Sequence, residues 1–139
     1  MSKLFEDKVV LVTGASSGIG RATAIAFGRE GAKVVVAARR VEQSQETLRL
    51  IEAAGGSALF VQTDVSESAQ VQALVARTIE HYGALHIAVN NAGMAILGAD
   101  EELRQEDWDR VIALNLTGVF LCAQAAARQI QSLVQSFAQ

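Results

Sequence analysis

The stretch that decides the fold is VVLVTGASSGIG, residues 9–20. Its first four residues form a short, continuous apolar run, which is typical of a strand buried on both faces of a parallel sheet. The run stops at Thr13-Gly14, and residues 19–30 then have helical character, with Gly31 as a left-handed stop. This order predicts the opening strand–turn–helix unit of an α/β fold.

The remainder of the chain continues the alternation of strand and helix. Further buried strands are predicted at 33–38, 58–61 and 85–89, and helices at 42–54, from an N-cap at Ser66 to Tyr82, and from about Glu106 onward. We therefore expect one domain over residues 1–139, with a Rossmann-like, doubly wound parallel sheet of about four strands in the order 3-2-1-4 and flanking helices. The last helix carries an apolar stripe of Trp108, Val111, Ile112, Leu116, Val119 and Phe120.

Composition argues against several classes of function. The net charge of −3 comes without a basic stripe, so nucleic acid is not an expected partner. No stretch approaches the roughly 18 apolar residues of a membrane span, and the charged N-terminus is unlike a signal peptide, so we expect a cytoplasmic protein. The single cysteine, Cys122, is expected to be a small buried hydrophobe, and no metal site is predicted because no Cys/His set has zinc-ligand spacing.

The glycine-rich turn lies where a parallel α/β sheet binds the pyrophosphate of a dinucleotide, against backbone N–H groups and a helix N-terminus. Gly14 permits the turn, Gly18 lets the backbone approach phosphate, and Gly20 lets the helix pack closely on the sheet. The G-x-x-x-G-x-G spacing differs from the general G-x-G-x-x-G fingerprint, so a loop that only turns a corner remains the alternative. The nucleotide interpretation adds Ser16, Ser17 and Ile19 as contacts.

The end of the second predicted strand bears on cofactor choice. An NAD enzyme places Asp or Glu there, about 20 residues past the loop, to bind the ribose 2′-hydroxyl. This chain has Ala38-Arg39-Arg40 instead. A guanidinium can bind a 2′-phosphate, so NADP is favoured, with NAD as the alternative and a solvated surface turn as the non-functional interpretation.

Three motifs in order now identify a resemblance: TGASSGIG, then Asp64-Val65 after the third strand, then Asn90-Asn91-Ala92-Gly93 after the fourth. Over residues 8–128 the chain resembles the short-chain dehydrogenase/reductase family. The resemblance implies that Asp64 bonds the adenine amino group while Val65 packs on the ring. It also implies that Asn91, Ala92 and Gly93 line the cofactor near its ribose, with Asn90 steadying the central sheet.

Asn115 is the one catalytic residue that the resemblance assigns, as the asparagine that holds a water in the family's proton relay. It also stands out by itself, because it falls within the apolar stripe of the last helix. We expect its amide to be buried there and to need hydrogen-bond partners. A satisfied core asparagine is the non-functional alternative.

The family's remaining catalytic groups, a serine and a Tyr-x-x-x-Lys pair, have no match in this sequence. Its one tyrosine, Tyr82, is followed four residues later by His86, which replaces the aspartate usual before the family's fourth strand. We therefore expect the nicotinamide-binding portion of an oxidoreductase for alcohol or carbonyl substrates, inactive as this chain alone. A non-catalytic nucleotide-binding or interaction module is the alternative.

Residues 129–139 continue at helical spacing but do not resemble the family, so we describe them as an atypical helical tail. A truncated product, a shifted reading frame or a deliberately cut half-domain would each explain them. In the family the last helix packs on its copy in a second subunit, which implies a homo-oligomer. The sheet is also expected to have an unpaired edge at the fourth strand, and an unpaired edge favours association with another chain.

Overall fold

The computed structural model describes residues 2–139 of the chain. Its strands form one parallel sheet in the order β3-β2-β1-β4, which confirms the predicted fold and strand order. The strands are β1 (Val9–Thr13), β2 (Lys33–Ala38), β3 (Ser57–Gln62) and β4 (Ile87–Val89).

Helices connect the strands and cover the sheet on both faces. They are α1 (Gly18–Arg29), α2 (Val41–Ala53), α3 (Ser68–Tyr82), a short 3₁₀ turn (Asp100–Glu102), and a continuous final helix made of α4 (Gln105–Ile112), a π-helical segment (Ala113–Gly118) and α5 (Val119–Phe137). Gly31 follows α1 with a φ of +90°, as the left-handed stop predicted for it requires.

Alternate residues of the central strands point to opposite faces, and this divides the core into two layers. Val10 and Val34 pack in the layer that contains Ala24 of α1 and Ile51 of α2. Leu11 and Val35 pack in the opposite layer, which includes Leu74 of α3 and Ala126 of α5. Because both faces are covered, β1 is buried along its whole length, and the carboxyl ends of the strands form one edge where the functional site can be sought.

The predicted N-cap at Ser66 is wrong. The helix begins at Ser68, and Glu67 occupies the N-cap position. The Ser66 hydroxyl and N–H both donate to Oδ1 of Asp64, at 2.7 and 3.0 Å, so this hydroxyl serves the turn before the helix.

The final helix has an exposed apolar stripe, and it departs from one expectation. Its stripe is only partly covered, since Trp108, Leu116 and Phe120 are each more than half exposed. The helix Gln105–Phe137 is also long and apolar enough, by length and composition, to cross a membrane, whereas no such stretch was expected. Residues 111–127 contain no charged side chain, which explains the result. The finding is weak evidence for a membrane, because core helices of soluble proteins pass the same criterion.

Candidate functional site

A cleft of about 230 Å³ lies at the carboxyl edge of the sheet, beside the loop between β1 and α1. It brings together most of the residues that the sequence singled out. Those on its lining are Gly14, Ser16, Ser17, Arg39, Arg40, Asp64, Val65, Ala92 and Gly93, joined by Ala37, Ala38, Thr63 and Leu114, which were not predicted. Parallel α/β sheets bind ligands in such a crevice.

The glycine-rich loop has the geometry that its sequence predicts. Gly14 has a φ of +63°, and a Cβ at Gly20 would overlap the carbonyl oxygen of Gly14. Gly20 therefore permits close contact between α1 and the loop. Gly18 also has a positive φ, but a Cβ there would meet nothing within 4 Å. The backbone at Gly18 thus borders open space at the N-terminus of α1, where unpaired N–H groups favour an anion.

Hydrogen bonds join this loop to the segment that follows β4. The Thr13 hydroxyl oxygen accepts the N–H groups of Asn91 and Ala92, at 3.0 and 3.1 Å. The Asn91 amide nitrogen donates to the carbonyl oxygens of Thr13 and Gly14, at 3.2 and 3.3 Å. Asn91 therefore orders the loop backbone, and it does not appear on the cleft lining itself. Thr13 is a residue whose positioning role sequence reasoning missed, although its place at the strand end was the available signal.

The two arginines after β2 differ in their contacts. One guanidinium nitrogen of Arg40 donates to the hydroxyl oxygens of Ser16 and Ser17, at 3.1 and 2.8 Å. The side chain of Arg39 is exposed, and its backbone carbonyl accepts a hydrogen bond from Gln62 at 3.0 Å. A positive charge is therefore held directly against the glycine-rich loop by Arg40, with Arg39 beside it on the cleft lining.

Asp64 supplies a carboxylate to the same cleft, next to Val65. The Ser66 hydroxyl that donates to Asp64 is the main reason why the pKa of that carboxyl lies below its ordinary value, and the Ser66 N–H and the charge of Arg39 act in the same direction. Asp64 is therefore an ionised hydrogen-bond acceptor at neutral pH.

Asn115 does not have the buried position that was expected. The residue is exposed within the π-helical segment and does not line the cleft. Its amide is nonetheless satisfied, because its oxygen accepts the Met94 N–H and its nitrogen donates to the Met94 carbonyl, both at 2.8 Å. The amide finds partners in the loop after β4, and that loop contact satisfies it without burial.

Three other side chains that can exchange a proton do not line the cleft. The Tyr82 hydroxyl is 3.1 Å from the hydroxyl of Ser57, which begins β3 at the opposite edge of the sheet. Nδ1 of His86 accepts the Val9 N–H at 2.9 Å, also at that amino-terminal edge. Cys122 is buried as expected, and burial raises the pKa of its thiol to about 11. Tyr82 and His86 therefore cannot reach a ligand held in the cleft, and the buried Cys122 thiol stays protonated at neutral pH.

Comparison with known proteins gives consistent matches. The sequence model for short chain dehydrogenase matches residues 8–136, a range that continues past Arg128 into the helical tail. The chain is 45% identical over 130 residues to a 3beta-hydroxysteroid dehydrogenase of Mediterraneibacter gnavus, covering 91% of this chain and 46% of that protein. It is 42% identical over 127 residues to an uncharacterized oxidoreductase of Thermotoga maritima, covering 91% and 50%.

Solved structures agree with these matches. A short-chain type dehydrogenase/reductase from Mycobacterium marinum superposes with a TM-score of 0.87 at 40% identity, covering 90% of this chain and 51% of that one. A mutant of a Serratia marcescens short-chain dehydrogenase/reductase gives a TM-score of 0.86 at 37% identity, covering 91% and 52%. The chain spans about half the length of the relatives it matches.

Proposed function

This chain belongs to the short-chain dehydrogenase/reductase family, and on that premise we propose that it forms the NADP(H)-binding portion of an oxidoreductase acting on an alcohol or carbonyl compound. The family implies a nicotinamide cofactor, NAD or NADP. One observation favours NADP. The residues that follow β2 are Arg39 and Arg40, and Arg40 donates to two hydroxyl groups of the phosphate-binding loop. A 2′-phosphate would be attracted to this position, where an NAD enzyme would have an acid.

The described residues fit such a cofactor. The open space at Gly18 and the N-terminus of α1 would accommodate the pyrophosphate, near Ile19. Asp64 and Val65 would contact the adenine, and Ala92 and Gly93 would line the site near the ribose. When bound, a nicotinamide cofactor supplies or accepts a hydride.

We do not expect this polypeptide to catalyse the reaction by itself. Tyr82 and His86 lie at the wrong edge of the sheet for proton transfer, and residues 1–139 contain no Tyr-x-x-x-Lys. The resemblance assigns Asn115 to a water of the proton relay. That role would require its amide to exchange a contact with Met94 for one with water.

Isothermal titration calorimetry with NADPH and with NADH tests the proposed function. We expect tighter binding of NADPH, because only this cofactor carries a phosphate for Arg40 and the serine hydroxyls. Binding of NADH that equals or exceeds that of NADPH would contradict the NADP assignment. Binding of neither cofactor by folded protein would contradict the proposed site.

A further inference from the structure

A second set of hydrogen bonds holds the phosphate-binding loop from the side of α2. Arg21, in the first turn of α1, donates through one guanidinium nitrogen to the Ser16 carbonyl at 2.7 Å and to the Gln43 carbonyl at 2.9 Å. Its Nε donates to the Thr47 hydroxyl oxygen at 3.0 Å. Thr47 is fully buried in α2, and its hydroxyl donates to the Ala15 carbonyl at 2.8 Å.

These bonds fix the direction of two peptide groups. In a planar trans peptide the C=O of one residue and the N–H of the next point in opposite directions. Thr47 binds the carbonyl of Ala15, so the N–H of Ser16 points away from Thr47. Arg21 binds the carbonyl of Ser16, so the N–H of Ser17 points away from Arg21. Among residues 2–139 neither N–H donates to another protein group.

The same two serines bear the hydroxyl groups that Arg40 contacts. The loop is thus held on its carbonyl side by Arg21 and Thr47, and it meets the Arg40 cation through its hydroxyl groups. The two hydroxyl groups and the Arg40 guanidinium lie together where Ser16, Ser17 and Arg40 line the cleft. The same two serines carry the N–H groups that point away from Thr47 and Arg21. Such a concentration of donors suits an anion of phosphate size.

We infer that Arg21 and Thr47 are positioning residues for the adenosine 2′-phosphate, acting through the carbonyl groups of Ala15 and Ser16. This inference rests on the proposed function for the identity of the ligand. Thr47 reaches the loop only with a buried hydroxyl and carries no charge, so its effect on phosphate binding is exerted through the orientation of the peptide groups. Arg21 also carries a positive charge, which can attract a phosphate by itself. The effect of this charge must therefore be distinguished from the effect of the hydrogen bonds that Arg21 donates.

The test uses the full chain and two small ligands, adenosine 2′,5′-bisphosphate and adenosine 5′-monophosphate. Thr47→Val removes the hydroxyl without changing charge or size, and Thr47→Ser restores a hydroxyl. Arg21→Lys keeps the charge but cannot reach Thr47, Ser16 and Gln43 together. Arg49→Gln is the matched control, because Arg49 lies on α2 with Thr47 and, among residues 2–139, pairs only with Glu46 at the surface.

We expect Thr47→Val and Arg21→Lys to weaken binding of the bisphosphate about three- to tenfold, as loss of one or two hydrogen bonds would. Binding of the monophosphate should change less than twofold, and Thr47→Ser and Arg49→Gln should resemble the original protein. In ¹H–¹⁵N spectra without ligand, the Ser16 and Ser17 amide signals should move in Thr47→Val and return in Thr47→Ser.

Two results would overturn the inference. One is a folded Thr47→Val protein that keeps its bisphosphate affinity and its Ser16 and Ser17 amide signals. The other is an equal loss of affinity for both ligands, which would indicate general damage to the cleft. If Thr47→Val does not fold, Arg21→Lys decides by the same measurements. If the unmodified protein binds neither ligand, the proposed function fails, and the amide signals still decide whether Arg21 and Thr47 orient the loop.

Discussion

At the scale of single residues, Arg40 offers a direct test of cofactor preference. The structure places its guanidinium on the hydroxyl groups of Ser16 and Ser17, whereas Arg39 lies beside them on the cleft lining. We predict that Arg40→Asp raises the Kd for NADPH by about tenfold or more, since a charge-assisted contact of about 1.5–3 kcal/mol is replaced by repulsion. Arg39→Asp should also shift the preference from NADPH toward NADH, but by a smaller factor than Arg40→Asp.

Calorimetric titration of both cofactors measures these shifts. Arg29→Gln is the control, since it removes an exposed arginine at the far end of α1. An unchanged ratio of NADPH to NADH affinity in both Asp variants would show that the arginines are only surface residues.

The hydrogen bond of His86 should make the free energy of unfolding depend on pH. Its Nδ1 accepts the Val9 N–H, so the neutral imidazole is the form that fits the fold. Burial lowers the pKa of His86 below its ordinary value, and the charges of Lys8 and Lys33 lower it further. Lys33 itself pairs with Asp7 at 3.4 Å. Because the unfolded chain binds the proton more readily, the stabilisation is complete above the unfolded pKa of about 6.5 and decreases as pH falls through it.

We therefore expect the free energy of unfolding, measured by urea denaturation, to decrease between about pH 6.5 and pH 5, above the range where carboxylates titrate. His86→Asn should abolish this decrease, since an amide oxygen can accept the Val9 N–H without titrating. His81→Asn should retain it. A decrease of equal size in both variants would assign the effect to other groups.

At the scale of elements, the contact between α1 and the loop depends on Gly20. A Cβ at this position would overlap the Gly14 carbonyl and lie 2.6 Å from the amide nitrogen of Asn91. We predict that Gly20→Ala destabilises the fold by about 1–3 kcal/mol, as overpacking does, and also weakens NADPH binding because the loop must move. Ala26→Gly, on the exposed side of the same helix, should cost about 1 kcal/mol without changing the affinity. Thermal denaturation and calorimetry measure both effects, and unchanged affinity in Gly20→Ala would contradict the prediction.

The sequence predicted those parts of the fold and cleft whose residues are neighbours along the chain. The apolar run of β1 and the glycine-rich turn are continuous in sequence, so both were predictable from neighbouring residues. The burial predicted for Asn115 was wrong, because helical periodicity predicts which face of the helix a residue lies on but not whether another element covers that face. Arg21 and Thr47 carried no local signal, since they meet across 26 residues of chain. Residues that act by holding another segment become visible only when the packing is known.

For the molecule as a whole, the residues present bear on whether it can turn over a substrate. The family's proton donor has no counterpart in residues 1–139, and general acid–base catalysis is typically worth about 10²–10⁴ in rate. We expect no detectable oxidation or reduction by this chain alone over a panel of alcohols and ketones, followed by nicotinamide absorbance. NADPH binding by the same preparation is the control for an intact cleft. Turnover that persists after a second purification would contradict the prediction.

The exposed apolar surface of the final helix favours association of two chains. Leu116, Phe120 and Phe137 are exposed by 64%, 58% and 82%, and β4 is an edge strand whose residues are only half-buried. Leu116 and Phe120 lie one turn apart on this helix, and exposed apolar side chains so close together favour a partner. An uncovered strand edge adds to the tendency. We predict that the chain forms a dimer through this helix, since two-fold symmetry lets one surface contact its own copy.

Light scattering after size exclusion at tens of micromolar measures the mass. Leu116→Gln and Phe120→Gln together should shift the protein toward a monomer by removing apolar area from the contact. Leu97→Gln is the matched control, because Leu97 is 94% exposed but lies in the loop before α4. It should leave the dimer intact. A stable, monodisperse monomer of the unmodified chain would show that exposure of this helix does not drive association.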